Sequence, residues 1–563
     1  MESQLARAAS MHAGPTPRAP VAAPAPSPFP APPPRPTPAA APAPAHRPRA
    51  NYFLYGDRSV KARIDPGVPL DEVLRQLCAS SLRVSEPATL FALREIDTGT
   101  LMTTDNMRAM LATATTFQLV SSPTLEAVEM IDKLSSSEPA TLKLATFSLR
   151  TLIIERAFLA EFVARGGVAA LHKVIRHSSG NTLAYALLSL QNMLELEDAG
   201  WMGLDEGFVA RIVEIIATEP LINVSRPAIA ILQRLASQPV ISPIASVASI
   251  TSSSSSHAGF ATALDVALAQ SDFLRIVVEH LSDGDVAVTN LSLGLLNTLL
   301  TGSIEMGDLR LSDVLESLDA WKLVGRLLDG TKGADLSILL ALQGNLLASL
   351  RLALTTPIGE EHYPSFDQVW IASRLEDTDE SNRWRRLGFQ TESPQYEFAQ
   401  TGLLGLKALQ RFAEDPQNEF AQTLQDQAAC TESHRCPVST ASNVVLHVVA
   451  EHFGVTGPHV ARAPAVTPSP YVYRFYELHA LVMQFFLQIW ADMGATLMDL
   501  DRVADRVRRQ VAVVLGGGED KKTWFAIRKE FLTASSAPLP IKTRALPRLS
   551  VARVPPAKKR QPS

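Results

Sequence analysis

A short leucine motif returns four times in the middle of this chain, and its spacing constrains the fold more than any other feature. Leu149-Arg-Thr-Leu152 recurs as Leu190-Gln-Asn-Met193, then as Leu232-Gln-Arg-Leu235, then as Leu296-Asn-Thr-Leu299. The first two steps are 41 and 42 residues, and the third is 64. The long step contains a Ser-rich stretch, 239–260, with an unbroken Ser/Thr run at 251–256. Removing about 22 residues as an insertion returns that step to the common period. Apolar residues around each copy keep helical spacing, as in Leu183, Leu187, Leu190 and Leu194. Each unit is too small to bury its apolar face alone, so the units must stack.

A period of about 40–47 residues with two or three helices per unit is that of armadillo/HEAT arrays. The sequence therefore predicts a helical solenoid over 120–357, with 239–260 as a disordered insertion. Chance likeness among leucine-rich helices is the alternative. Arrays of this kind bind rather than catalyse.

The flanks differ. Residues 1–50 hold fifteen prolines. Proline fixes φ and lacks an N–H donor, so the segment is expected to be extended polyproline II or disordered. Its Pro32–Pro36 stretch could dock on SH3-type grooves, or do nothing. Structure is expected from Asn51. Residues 51–55 and 60–64 are β-prone around a Gly56-Asp57-Arg58 turn. An amphipathic helix carrying Leu70, Val73, Leu74 and Leu77 follows. Short strands are then expected at 89–94, 100–104 and 110–115. That order is that of a small ubiquitin-like α+β module over 51–116. Its basic face, Lys61 and Arg63, could meet a small GTPase or simply be solvated.

Residues 363–516 are richer in aromatics and predict a compact all-helical domain with two inserted loops. Helical patterns run over 366–374, 402–412, 443–453 and 472–500. The chain is mainly α on this reading.

Net charge is −5, but unevenly spread. Residues 1–50 carry +4 and 521–563 carry +10, leaving −19 on 51–520. An acidic body is ill suited to gripping nucleic acid. Three cysteines, Cys78, Cys430 and Cys436, cannot build a disulfide framework and suit a reducing compartment. No bilayer-spanning segment is expected; the most apolar run, 481–500, is interrupted by Gln484, Gln488, Asp492 and Asp499. There is no phosphate loop, because Gly516–Gly518 lacks a following Gly-Lys-Ser/Thr, and no His-Glu-x-x-His. Cys430, His434 and Cys436 sit close in sequence without a fourth ligand, so no metal and no cofactor are expected.

One stretch is specific. Trp384-Arg-Arg-Leu-Gly388-Phe389 is followed by Pro394, then Glu397-Phe398, then Gly402-Leu-Leu-Gly-Leu406. It resembles the signature of the ELMO domain. Pro437 and Asn443 resemble that domain's second block, where they open a long helix. The order of modules over about 51–532 is similar to that of the larger ELMO (engulfment and cell motility) proteins. That resemblance implies a non-enzymatic, cytoplasmic scaffold recruited to the plasma membrane or cell cortex through its partners. It would serve as regulatory subunit of a DOCK-type exchange factor, promoting Rac-like GTPase activation, actin remodelling, motility and phagocytosis-like processes. A Rho/Rac- or Arf-type GTPase would bind at the ubiquitin-like domain.

Two departures accompany the resemblance. The larger members carry a PH domain after the ELMO domain, and with 45 residues after Gly518 that domain is expected to be absent or severely reduced here. Smaller ELMO-domain proteins activate GTP hydrolysis by Arf-type GTPases and carry an arginine after the acidic–Phe pair, where this chain has Ala399. An arginine finger contributes about 10³–10⁵ in rate, which alanine cannot supply. Arg383, Arg385 and Arg386 lie nearby. The alternatives are thus an Arf-type GTPase activator or a generic armadillo-type adaptor.

Finally, 519–534 predicts a C-terminal amphipathic helix whose Trp524, Phe525, Ile527 and Phe531 would bind the exchange factor. A basic, Pro-rich, disordered tail, 535–563, would offer Pro547, Pro555 and Pro556 to its SH3 domain. The plainer alternative has that helix packing back on its own domain.

Overall fold

The computed structural model describes residues 50–196, 205–237, 258–282, 284–330, 335–376, 382–456, 469–516 and 522–533. The Pro-rich ends and most of the Ser-rich stretch lie outside those residues. The chain divides into two compact units, before and after Val120.

The first unit is a four-stranded sheet of order β2-β1-β4-β3, with β1 (Ala50–Tyr55), β2 (Arg58–Arg63), β3 (Phe91–Glu95) and β4 (Thr116–Ser121). β1 runs antiparallel to β2 and parallel to β4. Gly56, at φ 54°, closes the hairpin. Phe53 and Phe117 stack at 5.6 Å beneath Val73 and Leu74 of α1 (Leu70–Gln76). Residues 107–113 form a helix, α2 (Met107–Thr113), where the sequence predicts a strand over 110–115. The reason is spacing: Met107, Met110 and Leu111 fall on one helical face and all are buried. The closing strand therefore comes later, and the module runs to about residue 120 instead of 116. Residues 100–104 likewise form no strand, only an isolated Leu101–Arg94 bridge. The strand expected at 89–94 begins after a 3₁₀ turn.

The second unit is helical. It opens with α3 (Pro123–Leu134) and α4 (Pro139–Leu152). Next come α5 (Arg156–Ala164), α6 (Gly167–His177) and α7 (Gly180–Leu196), then α8 (Glu206–Thr218) and α9 (Ile222–Ser237). After these follow α10 (Ala258–Ala269), α11 (Ser271–Glu279), α12 (Val286–Glu305), α13 (Arg310–Ser317), α14 (Ala320–Gly330) and α15 (Leu336–Thr355). α10 starts at Ala258, so the expected insertion 239–260 overlaps a helix at its end. Each copy of the leucine motif lies on one helix of a continuous stack, α4-α7-α9-α12, and α15 extends that stack by a fifth member. Leu149, Leu190, Met193, Leu232, Leu296 and Leu299 of the motif are buried, and Leu152 and Leu235 are half-buried against the same core. Its two central polar positions link neighbours: Asn192 donates to Arg150 O, and Asn345 on α15 donates to Asn297 Oδ1 at 3.0 Å. α12 and α15 are long and apolar enough to cross a bilayer by length and composition, contrary to the sequence expectation; in this fold they are packed members of the stack.

The remaining helices are α16 (Tyr363–Ser373), α17 (Arg383–Arg386), α18 (Gly402–Glu414), α19 (Phe420–Ala429), α20 (Val438–His452), α21 (Phe475–Asp492), α22 (Leu500–Leu515) and α23 (Trp524–Leu532). The pattern read as one helix over 472–500 is broken. Gly494 sits at φ 51° and Ala495 N donates back to Trp490 O, a left-handed helix stop that glycine permits. α22 is a separate helix beyond it.

Solenoid and helical domain share one core, which runs from Ala127 to Phe531. α15 packs on α18, and the Arg351 guanidinium donates to Gly454 O (2.9 Å) and Val455 O (3.1 Å). Trp321 stacks on Tyr473, whose hydroxyl donates to Leu339 O.

Candidate functional site

The signature residues gather into a single aromatic knot. Phe366 meets Trp384, Phe389 and Phe398 at centroid distances of 5.7–6.4 Å. Phe389, Phe398 and Leu406 are buried, as are Pro394 and Pro437. Gly388 adopts φ 86°, and a Cβ there would lie 2.4 Å from Val438 N, so the chain can turn under α20 only with glycine. Asn443 does not open α20; it lies in its second turn, accepts from Thr401 Oγ1 at 2.8 Å and donates to Glu397 O. The signature thus builds the domain, and presents no converging reactive groups.

Glu397, the acidic member of the signature's acidic–Phe pair, is the hub of this region. Its carboxylate accepts from Gln390 N (2.6 Å), Thr391 N (2.8 Å), Thr391 Oγ1 and Thr440 Oγ1 (2.6 Å). The clamp fixes the 3₁₀ turn Pro394–Phe398 and leaves Ala399 exposed immediately after it. Of the neighbouring arginines, Arg383 bonds Asp367 and lies about 5 Å over the rings of Trp370 and Trp384. Arg386 donates to Glu376 O, and Arg385 is exposed.

The C-terminal helix is shorter than expected, 524–532, and docks on its own domain. Ile527 and Phe531 are fully buried, and Phe531 meets Phe485 at 5.7 Å. Arg474 lies 5.0 Å over Trp524. Tyr471 Oη donates to Lys522 O, and Lys522 Nζ donates to Val514 O and pairs with Glu530. Two of the four residues expected to meet an exchange factor are therefore occupied internally in this state, because their helical spacing serves this core. Only Phe525 projects outward, 77% exposed. Pro547, Pro555 and Pro556 lie outside the described residues.

In the first unit, Lys61 and Arg63 project from the outer face of β2, an edge strand, with Lys61 5.1 Å over the Tyr52 ring. Cys436 is buried and Cys430 exposed, while His434 Nδ1 faces Gly494 O. Among the described residues no three His, Cys, Asp or Glu are placed to hold a metal.

Two buried histidines give the second unit a pH dependence. Burial pushes His479 and His172 down to about 4. Both are neutral when folded, and the unfolded chain binds the extra protons below its own value of about 6.5. Their contribution is thus fully present above pH 6.5 and is lost as pH falls toward 4. At pH 5 the expected loss is about 2 kcal/mol per histidine relative to pH 7.5. Urea unfolding at the two pH values checks this, and the loss should shrink by about half in His479→Gln.

Comparison with known proteins follows the same division. Residues 345–504 match the family model described as ELMO/CED-12 family, and residues 157–326 match that described as ELMO, armadillo-like helical domain. The first match begins inside α15, where the solenoid and the helical domain share their core. Engulfment and cell motility protein 3 of Homo sapiens is 24% identical over 481 residues, covering 80% of this chain and 64% of that protein. Engulfment and cell motility protein 1 of Homo sapiens is 22% identical over 494 residues, with the same shares. The match thus spans less than two thirds of the length of these relatives. Among solved structures, a designed armadillo repeat protein covers 49% of this chain at 15% identity and a TM-score of 0.30, too slight a likeness to carry weight.

Proposed function

The chain belongs to the ELMO/CED-12 family, and on that premise we propose that it is a non-enzymatic regulatory subunit of a DOCK-type exchange factor, promoting GTP loading of a Rac-like GTPase. One observation carries the reading: a single apolar core joins the two family-matched segments to a short terminal helix held by few buried side chains. Such a helix is poised to exchange its intramolecular contact for an intermolecular one, and the basic Pro-rich residues 535–563 follow it directly. The exposed Lys61/Arg63 face of the first unit is the surface offered to an upstream GTPase. Actin remodelling at the cell cortex would be the consequence of such loading.

The test is nucleotide exchange on a Rac-type GTPase with a DOCK-type factor, with and without the full chain. The full chain should co-precipitate with the factor and raise the exchange rate, and removal of residues 517–563 should abolish both effects. No association, or association untouched by that removal, rejects the proposal. A parallel single-turnover hydrolysis assay on an Arf-type GTPase should show no stimulation; stimulation would favour the activator reading instead, despite Ala399.

A further inference from the structure

α5 and α6 enclose a cleft of about 480 Å³, within the range of about 300–1,000 Å³ typical of small-molecule sites. Its two ends differ in chemistry. One end is walled by Val163, Val168 and Ala169, the other by Lys173, Arg176 and His177, with His172 between them. The order follows from helical spacing: 168 and 169, 172 and 173, and 176 and 177 are successive turns on one side of α6. At about 1.5 Å per residue, the walls change from apolar to basic over about 13 Å. The basic end carries more positive charge than its neighbours offset. Asp205 takes one edge of the Arg176 guanidinium at 2.6 Å. Among the described residues Lys173, which is exposed, meets no carboxylate. His177 donates from Nδ1 to Lys173 O at 2.8 Å, so its Nε2 is left for another partner. His172 is 6% exposed, and among the described residues its Nε2 has no hydrogen-bond partner. A buried polar atom of this kind is rare in a folded chain and points to a bound group.

We propose that this cleft binds a single-chain anionic amphiphile, an alkyl chain ending in a phosphate or carboxylate. The chain lies on Val163, Val168 and Ala169, where removing apolar area from water favours it. The head group accepts from Lys173 Nζ and from the Arg176 edge that Asp205 does not take, and charge-assisted bonds of this kind are the strong ones. The His172 ring nitrogen, buried between the two ends, gains a polar partner when the head group is seated. Neither part of the ligand suffices alone. An inorganic anion leaves the apolar end uncovered, and a neutral chain leaves the cations unmet.

The test is isothermal titration calorimetry on the full chain, with monodecyl phosphate as the probe and decanol and inorganic phosphate as controls. Monodecyl phosphate should bind about tenfold or more tightly than either control, since each control lacks one of the two contacts. Lys173→Gln should weaken the probe about tenfold by removing a charge-assisted donor, and Ala169→Trp should weaken it at least as much by filling the apolar end. Both positions are exposed, so thermal unfolding should not change. His172→Phe keeps a ring against Phe208, which lies at 4.5 Å, but removes the ring nitrogens, and it should weaken the probe as well. If that buried substitution unfolds the chain, the two exposed ones still decide. No binding, equal affinity for the probe and either control, or affinity indifferent to Lys173→Gln and Ala169→Trp overturns the proposal. So does binding to phosphatidic acid vesicles that Lys173→Gln weakens and Ala169→Trp does not, since the basic end would then be a bilayer contact without a chain-binding cleft.

Discussion

Gly402→Ala should destabilise the second unit by about 3–5 kcal/mol, among the largest losses available from adding one methyl group. Gly402 is the first residue of α18 and adopts φ 51°, which already costs an alanine about 1–2 kcal/mol. More important is what surrounds it. A Cβ there would stand 2.4 Å from Leu354 O, 2.6 Å from Thr356 O and 2.9 Å from Ala353 O. These are carbonyls at the C-terminus of α15, so no rotamer change relieves the contact, and the solenoid's last helix must move away from α18. That movement strains the Leu403 N to Thr356 O bond (2.9 Å) and the Arg351 bonds to 454 and 455. Gly494→Ala is the control: it has the same φ of 51° but nothing within 4 Å of the added atom, so only the conformational cost applies. Urea unfolding of both variants separates the two terms. Equal losses would mean that the junction is loose and that solenoid and helical domain move independently.

Gly402 also shows what sequence could and could not disclose. As part of a spaced signature it was visible at once, yet its partner, the end of α15, falls inside the solenoid as drawn, across the boundary at 357. Module boundaries drawn from composition separate segments that here bury apolar surface together. The stacked helices were legible because the leucine motif repeats with the packing period itself. The fifth member, α15, was not, because Gly344 stands where the earlier copies carry their first leucine. In the first unit, the stretch at 110–115 was read from its apolar content alone; the position of Met107 three residues before Met110 makes it helical. The role of Glu397 was hidden for another reason. A carboxylate accepting three hydrogen bonds from residues 390–391 and one from Thr440 on α20 leaves no periodicity, and only the three-dimensional turn reveals why an acid is needed before Phe398.

Phe531→Ala tests the one contact on which the proposed function turns. Phe531 is fully buried against Phe485, and truncating a buried phenylalanine costs about 3–5 kcal/mol. α23 spans nine residues, too short to be stable once undocked. Ile527 and the half-buried Trp524 are the other apolar anchors, so the loss falls on docking of this helix alone. Amide hydrogen exchange should show residues 526–533 losing protection by about 10²–10³-fold, with α20 and α21 unchanged. Phe525→Ala, which removes only an exposed ring, should leave protection intact. The same pair divides the functional possibilities. If the exchange factor takes the released helix through its apolar face, Phe531→Ala lowers the cost of release but also removes an anchor, so association weakens while helix exposure rises. If the factor instead reads the helix in place, through Phe525 and the exposed Arg528 and Lys529, then Phe525→Ala weakens association without any change in exchange protection. A chain in which neither substitution alters association binds its partner elsewhere, and the terminal helix is then only the last layer of the core.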